Sequence, residues 1–307
     1  MRARDHLVPI VIFAALAAAP YIGFGQGYSL TLLARAMIFG IAAISLSLLV
    51  GGAGLVSLGQ AAMLGVGAYA VVVLDHARIT EAWMVVPAGI AAAAFFALVT
   101  GAIAIRTSGV HFIMITLAFG QMAFFTTSSL SIYGGDDGYT LYNRLEVFGS
   151  RALENRIVFH FTCLGLLIAC WALVQALLNS RFGRVLQAAR ENETRTRAVG
   201  FEPYFYRLSA YVIAGGIGGL AGVLLANSAE FVAPAYLTWQ RSGDLLFMVI
   251  LGGLAGPHGA LMGALAYVLI EEWLAKITEH WRLIFGPMLI FCVFFMRGGI
   301  AGLLRRG

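Results

Sequence analysis

Seven stretches of this sequence run for at least 22 residues without an Asp, Glu, Lys or Arg: residues 6–34, 36–74, 82–105, 107–135, 157–180, 208–229 and 245–270. About 18 to 20 apolar residues carry a helix across the hydrocarbon core of a bilayer. Each stretch is long enough. A helix on a soluble core shows a polar stripe along one face, and these runs leave no charge for one. Only 11% of the residues are charged and 60% are hydrophobic, against about a quarter charged in soluble domains. The expected fold is therefore all-α: one transmembrane domain over residues 1–307, a polytopic helical bundle of about 8–10 spans that include broken or re-entrant helices.

The run 36–74 is too long for one crossing. As a single helix its 39 residues would extend about 60 Å, twice the bilayer core. "GGAG" (Gly51–Gly54) is the natural break, since clustered glycine interrupts helices. The pattern predicts a span near 33–50 and a second element near 55–74. Further spans are expected near 83–105, 111–131, 157–178 and 208–228, with a last one near 282–297. The run 245–270 carries "GGLAGPHG" (Gly252–Gly259), so two half-helices or a re-entrant pair are expected there. "GVGAYAVV" (Gly65–Val72) and "GALAYVLI" (Gly263–Ile270) each follow such a break, a hint of the internal repeats that transporters carry. The N-terminus "MRARDHLVPIVIFAALAAAP" imitates a secretory signal. We read it as an uncleaved first span because other spans follow at once.

Basic residues set the orientation. Arg2 and Arg4 precede the first span, Arg106 occupies a short turn, and six arginines lie between Ser180 and Leu208. This places Arg106, the 180–207 loop and both termini in the cytoplasm. It places 75–82 and 132–156 outside; the cytoplasmic C-terminus requires that 245–270 dip in and return rather than cross once.

Several chemistries are excluded by what the chain lacks. No His-Glu-x-x-His, Gly-x-Ser-x-Gly or phosphate-loop motif occurs. Cys163, Cys170 and Cys292 show neither metal spacing nor a disulfide framework; the first two read as packing residues. The net charge of +5 belongs to cytoplasmic loops and does not point to nucleic acid. The spans hold essentially no ionisable group, with Arg35 and Asp244 placed at span ends, so the chain is poorly equipped for proton coupling. The spans are instead rich in glycine. In "AGGIGGLAG", Gly215/Gly219 and Gly218/Gly222 have the spacing that lets helices touch.

The segment "RVLQAARENETRTRAVG" has no proline and only a closing glycine, so one helix from about Gly183 to Val199 is expected. Val185, Ala188, Ala189 and Asn192 would form its small-residue face. Such a cytoplasmic helix suits insertion into a groove of a soluble partner. A solvated basic loop is the plain alternative.

"SRFGRVLQAARENETRTRAVGFEPYFYRLSAYVIAGGIGGLAG" resembles the cytoplasmic loop of permease subunits of ATP-binding cassette importers. More narrowly, it is similar to the branched-chain amino acid permease family, in particular the larger permease subunit of the high-affinity bacterial importer. "LSLLVGGAGLVSLGQAAMLGVGAYA" (Leu46–Ala70), "ITLAFGQMAFF" (Ile115–Phe125) with "GGDDG" (Gly134–Gly138), and "VILGGLAGPHGALMGA" (Val249–Ala264) agree in order and spacing. The resemblance implies a non-catalytic subunit of the bacterial inner membrane. Its partners would be two ATPase subunits that bind the ATP, a second, non-identical permease, and a periplasmic binding protein that delivers the solute. No cofactor is expected in this chain. The coupling helix falls on Gly183, Arg184, Ala188, Ala189, Arg190, Glu191, Asn192 and Gly200. The chain departs from the family at Gln60, commonly histidine, at Gln121, commonly glutamate, in "TRTRAVG", which is usually alanine-rich, and in "GPHG", where an aromatic usually precedes the glycine. Relatives import urea, short amides or aromatic acids, and sugar importers share the architecture. A stand-alone secondary transporter and a purely structural membrane protein are the other readings. Ser57, Gln60, Thr116 and Gln121 are expected to line the path; polar glue between helices is the competing role for all four.

Overall fold

The computed structural model describes residues 4–21, 27–141, 144–147, 149–254, 256–278, 280, 283–288, 290 and 298–306. Helix α1 covers Arg4–Ala18 and α2 covers Gly27–Ser47, continued by a π-helical turn over Leu48–Ala53. Then come α3 (Gln60–His76), α4 (Ala82–Ala104), α5 (Val110–Ser129) and α6 (Arg156–Asn179). Two short helices, α7 (Arg181–Glu191) and α8 (Glu193–Ala198), lead into α9 (Pro203–Ala229). α10 (Trp239–Gly252), α11 (Pro257–Ile277) and α12 (Gly299–Arg306) follow. Among the described residues, five helices, counting α2 with its π turn as one, are long and apolar enough to cross a membrane. The expected spans thus lie within a few residues of α2, α4, α5, α6 and α9. The last expected span, 282–297, lies mostly outside the described residues, and so does Cys292.

Both expected breaks are present. The π turn ends at Gly54, a left-handed cap with φ 69° that glycine adopts without strain. Residues 54–59 are non-helical before α3 starts. α10 and α11 meet at a bend of 115°, with Pro257 opening α11, where its missing N–H costs nothing. The two sequence-matched stretches, 65–72 and 263–270, fall in α3 and α11, the helices that follow these breaks.

Glycine positions decide which helices touch. Hydrophobicity does not drive helices together inside lipid, so close backbone approach must. On α9, an added Cβ at Gly219 would meet the side chain of Ala93 and the backbone of Gly89 on α4, and one at Gly215 would meet Ala97. The other glycine face turns to α3: a Cβ at Gly218 would lie 3.5 Å from the Met63 Cβ, and one at Gly222 would collide with the Leu64 carbonyl oxygen. Gly67 of α3 returns the contact against the Gly219 backbone. α9 is thereby clamped between α3 and α4. α2 is the other central element, buried from Ala36 to Val50.

The loops sort to two ends. At one end, Tyr139 Oη donates to Asp75 Oδ2 at 3.1 Å, and Arg144 pairs with Glu230 at 2.7 Å. The two-residue strands β1 (Tyr139–Thr140) and β2 (Phe231–Val232) pair antiparallel there, with Tyr139 opposite Val232. At the other end, Tyr204 Oη donates to the Ala102 carbonyl at 3.0 Å, joining the start of α9 to the last turn of α4. The grouping of 75–82 with 132–156, and of the 105–109 turn with 180–207, matches the partition drawn from arginine placement.

Candidate functional site

The basic segment folds as two helices, not the single one expected over 183–199. The chain breaks at Asn192, whose Oδ1 accepts from the Arg195 N–H at 2.9 Å and so caps α8. Asparagine competes with the helical backbone in this way, and the next residue, Glu193, favours a helix N-terminus. At the other end of α7, Ser180 Oγ accepts from the Gly183 N–H at 3.4 Å. A Cβ at Gly183 would press on the Leu177 and Leu178 carbonyls, so glycine lets α7 fold back tightly on the end of α6.

The expected small-residue face divides between the two sides of α7: Ala189 turns into the bundle, while Ala188 and Asn192 stay open. Gly183, Leu186 and Ala189 are buried, with Thr196 of α8, whereas Ala188, Glu191 and Asn192 are exposed and Val185 is half-buried. Leu186 would touch a Cβ added at Gly52 of the π turn at 3.3 Å. Arg190 donates from Nη1 to the Gly51 carbonyl, and its stem lies against Gly54. From α9, Arg207 donates to Glu193 Oε2 at 2.7 Å and to the Ala189 carbonyl at 3.1 Å. The α7–α8 unit is therefore tied on its inner side to the π turn and to α9. Its outer side presents Arg184, Ala188, Glu191, Asn192 and Gly200 to the surroundings.

The π turn leads into a polar seam. Ser57, Gln60 and Thr116 are buried and lie together at the break. Ser57 Oγ accepts from the Gly59 N–H at 3.1 Å, and Thr116 Oγ1 accepts from the Leu58 N–H at 3.3 Å. These bonds satisfy backbone donors that the break has freed, which a bilayer interior requires. Gln60 donates from Nε2 to Ser45 Oγ at 2.6 Å and to the Ala214 carbonyl at 3.3 Å. Gln121 stands apart. It is only half-buried, on a different side of α5 from the buried stripe Phe112, Thr116 and Gly120.

α10 starts next to this seam, where Ser242 Oγ accepts from the Ala61 N–H at 3.0 Å. Its first two turns carry Arg241 and Asp244, whose side chains are 34% and 17% exposed. Tyr267 Oη, midway along α11, donates to Asp244 Oδ1 at 2.8 Å. Asp244 thus lies at the level of the middle of α11, not at a span end.

The family described as branched-chain amino acid transport system, permease component, matches residues 28–293. The chain belongs to that family. This permease is 28% identical over 294 residues to the high-affinity branched-chain amino acid transport system permease protein LivM of Escherichia coli (strain K12), a match spanning 88% of this chain and 69% of the relative. The probable branched-chain amino acid transport permease protein LivH of Methanocaldococcus jannaschii is 28% identical over 201 residues, 60% of each chain. The autoinducer 2 import system permease protein LsrC of Salmonella typhi is 25% identical over 153 residues, 48% of this chain and 43% of the relative. No solved structure matches the chain.

Little else in the permease offers a site. Among the described residues, no group of three or more His, Cys, Asp or Glu side chains is placed to hold a metal ion. Cys163 and Cys170 are buried in α6 as packing residues. His160 is buried with Nε2 3.0 Å from the Leu16 carbonyl, tying α6 to α1, and His258 Nδ1 accepts from Trp171 Nε1 at 3.0 Å. The expected placement of Asp244 at a span end fails here. The uncharged run begins after Asp244, but the helix begins at Trp239, and the chain between Glu230 and Thr238 brings its start down to the N-terminus of α3. A strand-like return after a glutamate in the left-handed region (Glu230, φ 53°) was the available signal, and it is a conformational one.

Proposed function

We propose that this permease is the transmembrane subunit of an ATP-binding cassette importer for branched-chain or related amino acids. Two separate ATPase subunits supply the energy, a second permease completes the path, and a periplasmic binding protein delivers the solute. The chain itself is non-catalytic and needs no cofactor. It sits in the bacterial inner membrane with the α7–α8 unit and both termini in the cytoplasm. The observation that carries this reading is the two-sided α7–α8 unit: one face tied to a helix break inside the bundle, the other face open.

In this reading the ATPase grips the open face, through Arg184, Ala188, Glu191, Asn192 and Gly200. The inner residues Gly183, Ala189 and Arg190 pass its movement to the π turn. Exposed residues can be altered without disturbing the fold, so the test is clean. Ala188→Trp and Glu191→Lys are expected to weaken association with the ATPase subunits by on the order of tenfold or more. Yield and thermal stability of the permease should not change. Co-purification at full strength with both variants would overturn the assignment.

Ser57, Gln60, Thr116 and Gln121 are proposed to shape the path, the first three by holding the 54–59 break and the last by facing the solute or the second permease. Gln121→Ala is expected to lower uptake with the complex intact. Ser57→Ala, Gln60→Ala and Thr116→Ala are expected to lower uptake and also stability, by about 1–3 kcal/mol for each buried polar group left unpaired: the Gly59 and Leu58 N–H donors for Ser57 and Thr116, and the Ser45 Oγ and Ala214 carbonyl acceptors for Gln60. Uptake unchanged in all four would remove them from the path.

A further inference from the structure

Gln240 is an exposed polar side chain at the middle of the bundle. It stands in the first turn of α10, two residues before Ser242, whose Oγ holds the Ala61 N–H at 3.0 Å. Next to Ala61, Gln60 reaches the Ala214 carbonyl at 3.3 Å, and Ala214 lies close to the midpoint of the 27-residue α9. A helical residue rises only ~1.5 Å, so Gln240 stays near that level.

Gln121 reaches the same place from α5. It follows Gly120, where an added Cβ would lie 3.9 Å from the Ala62 Cβ and from the Gly59 Cα. α5 also packs on the turn Pro234–Leu237 that leads into α10. The two glutamines therefore flank the first turn of α3. Among the described residues neither side chain makes a hydrogen bond.

Lipid is a poor neighbour for this face. The exposed positions of α4 from Met84 to Ile103 and of α6 from Phe161 to Ala176 carry no polar side chain, as contact with hydrocarbon demands. Gln240 breaks that pattern, and so does the backbone beside it. Thr238 gives α10 no side-chain cap, and the N–H groups of Trp239 and Gln240 have no acceptor among the described residues. Both residues are exposed. Unpaired backbone at membrane depth is tolerated only where protein buries it or water reaches it, and this chain does not bury it. A protein partner would have to match amides on two helices and two backbone donors at once. Water meets all of them without a matching geometry.

We propose that Gln121, Gln240 and the exposed start of α10 form a wetted wall of the solute path. The inference rests on the importer reading and places that path on the α5–α10 side of the bundle, next to the 54–59 break.

The test is cysteine labelling of the whole complex in proteoliposomes, with ATP inside and leucine-loaded binding protein outside. The probe is a charged, membrane-impermeant methanethiosulfonate, and the modified peptide is read by mass spectrometry. Gln240→Cys and Gln121→Cys are expected to react roughly tenfold or more faster than Phe95→Cys and Ile168→Cys, which face outward from α4 and α6, because a thiol in apolar surroundings keeps its proton and stays inert. Reaction at Gln240→Cys is also expected to stop leucine uptake. If Gln240→Cys does not assemble, Trp239→Cys, exposed one residue away, is read in its place. Labelling at Gln240→Cys no faster than at the two controls overturns the wetted wall. Fast labelling that appears only when the second permease is removed also overturns it, since the face is then an interface between the two permeases. Fast labelling with full uptake overturns its place in the path. Absence of ATP-dependent leucine uptake by the wild-type complex, measured before any cysteine is introduced, overturns the importer reading instead.

Discussion

Gly222→Leu is expected to abolish accumulation of folded permease. A Cβ at this position would run into the Leu64 carbonyl oxygen and crowd the Ala68 N–H. Both are helix backbone, which cannot swing aside as a side-chain tip can. Overpacking a core ordinarily costs about 1–3 kcal/mol, and here separation of α9 from α3 adds the lost contact along the whole seam. Gly67→Leu, which meets the Gly219 backbone from the other side, should fail in the same way. Gly165→Leu is the control. It lies on the exposed side of α6 with open space where its side chain would go, and should express as wild type. The measurement is the monodisperse fraction in detergent and its melting temperature. Normal yield from Gly222→Leu would mean that the α3–α9 approach is not as close as described.

Arg190→Ala is expected to separate ATP hydrolysis from transport. Its guanidinium reaches the Gly51 carbonyl, 139 residues away in sequence, at the point where the π turn gives way to the 54–59 break. The contact crosses from the α7–α8 unit to the bundle. Losing a charge-assisted hydrogen bond costs about 1.5–3 kcal/mol at a buried site, and less here because Arg190 is exposed. The fold should survive, since Leu186, Ala189 and the Arg207 bonds still hold α7 in place. Uptake per ATP should fall by about tenfold, the equivalent of ~1.4 kcal/mol. The ATPase subunits should remain attached, which distinguishes this variant from Glu191→Lys. If uptake and hydrolysis fall in proportion, Arg190 serves attachment and not transmission.

Much of this architecture was readable before any coordinates. Charge-free runs placed α4, α5, α6 and α9, and "GGAG" placed the first break. The two glycine pairs of α9 announced two close contacts, but not with which helices. The α7–α8 boundary was hidden because nothing near Asn192 forbids a helix. Asparagine in a helix interior and asparagine as an N-cap differ by one side-chain hydrogen bond, and periodicity does not see it. The bundle-facing side of α7 was not legible either. Small residues mark where contact is possible without saying with what: Ala189 is buried, and so is the larger Leu186, because the π turn and α9 lie against them, while Ala188 one residue away stays exposed.

Depth is where the two kinds of information part. Which segments enter lipid follows from the amino acids alone, because transfer from water is a property of each segment's own side chains. Where a charge ends up across the bilayer does not, because that depends on partners remote in the chain: Asp244 on Tyr267, Arg35 on Glu271, Ala61 on Ser242. A nine-residue return between α9 and α10 carried Asp244 from an apparent span end to the level of Tyr267, midway along α11. Only packing that return against α3, with Leu237 filling the space left open by Gly65, made the difference.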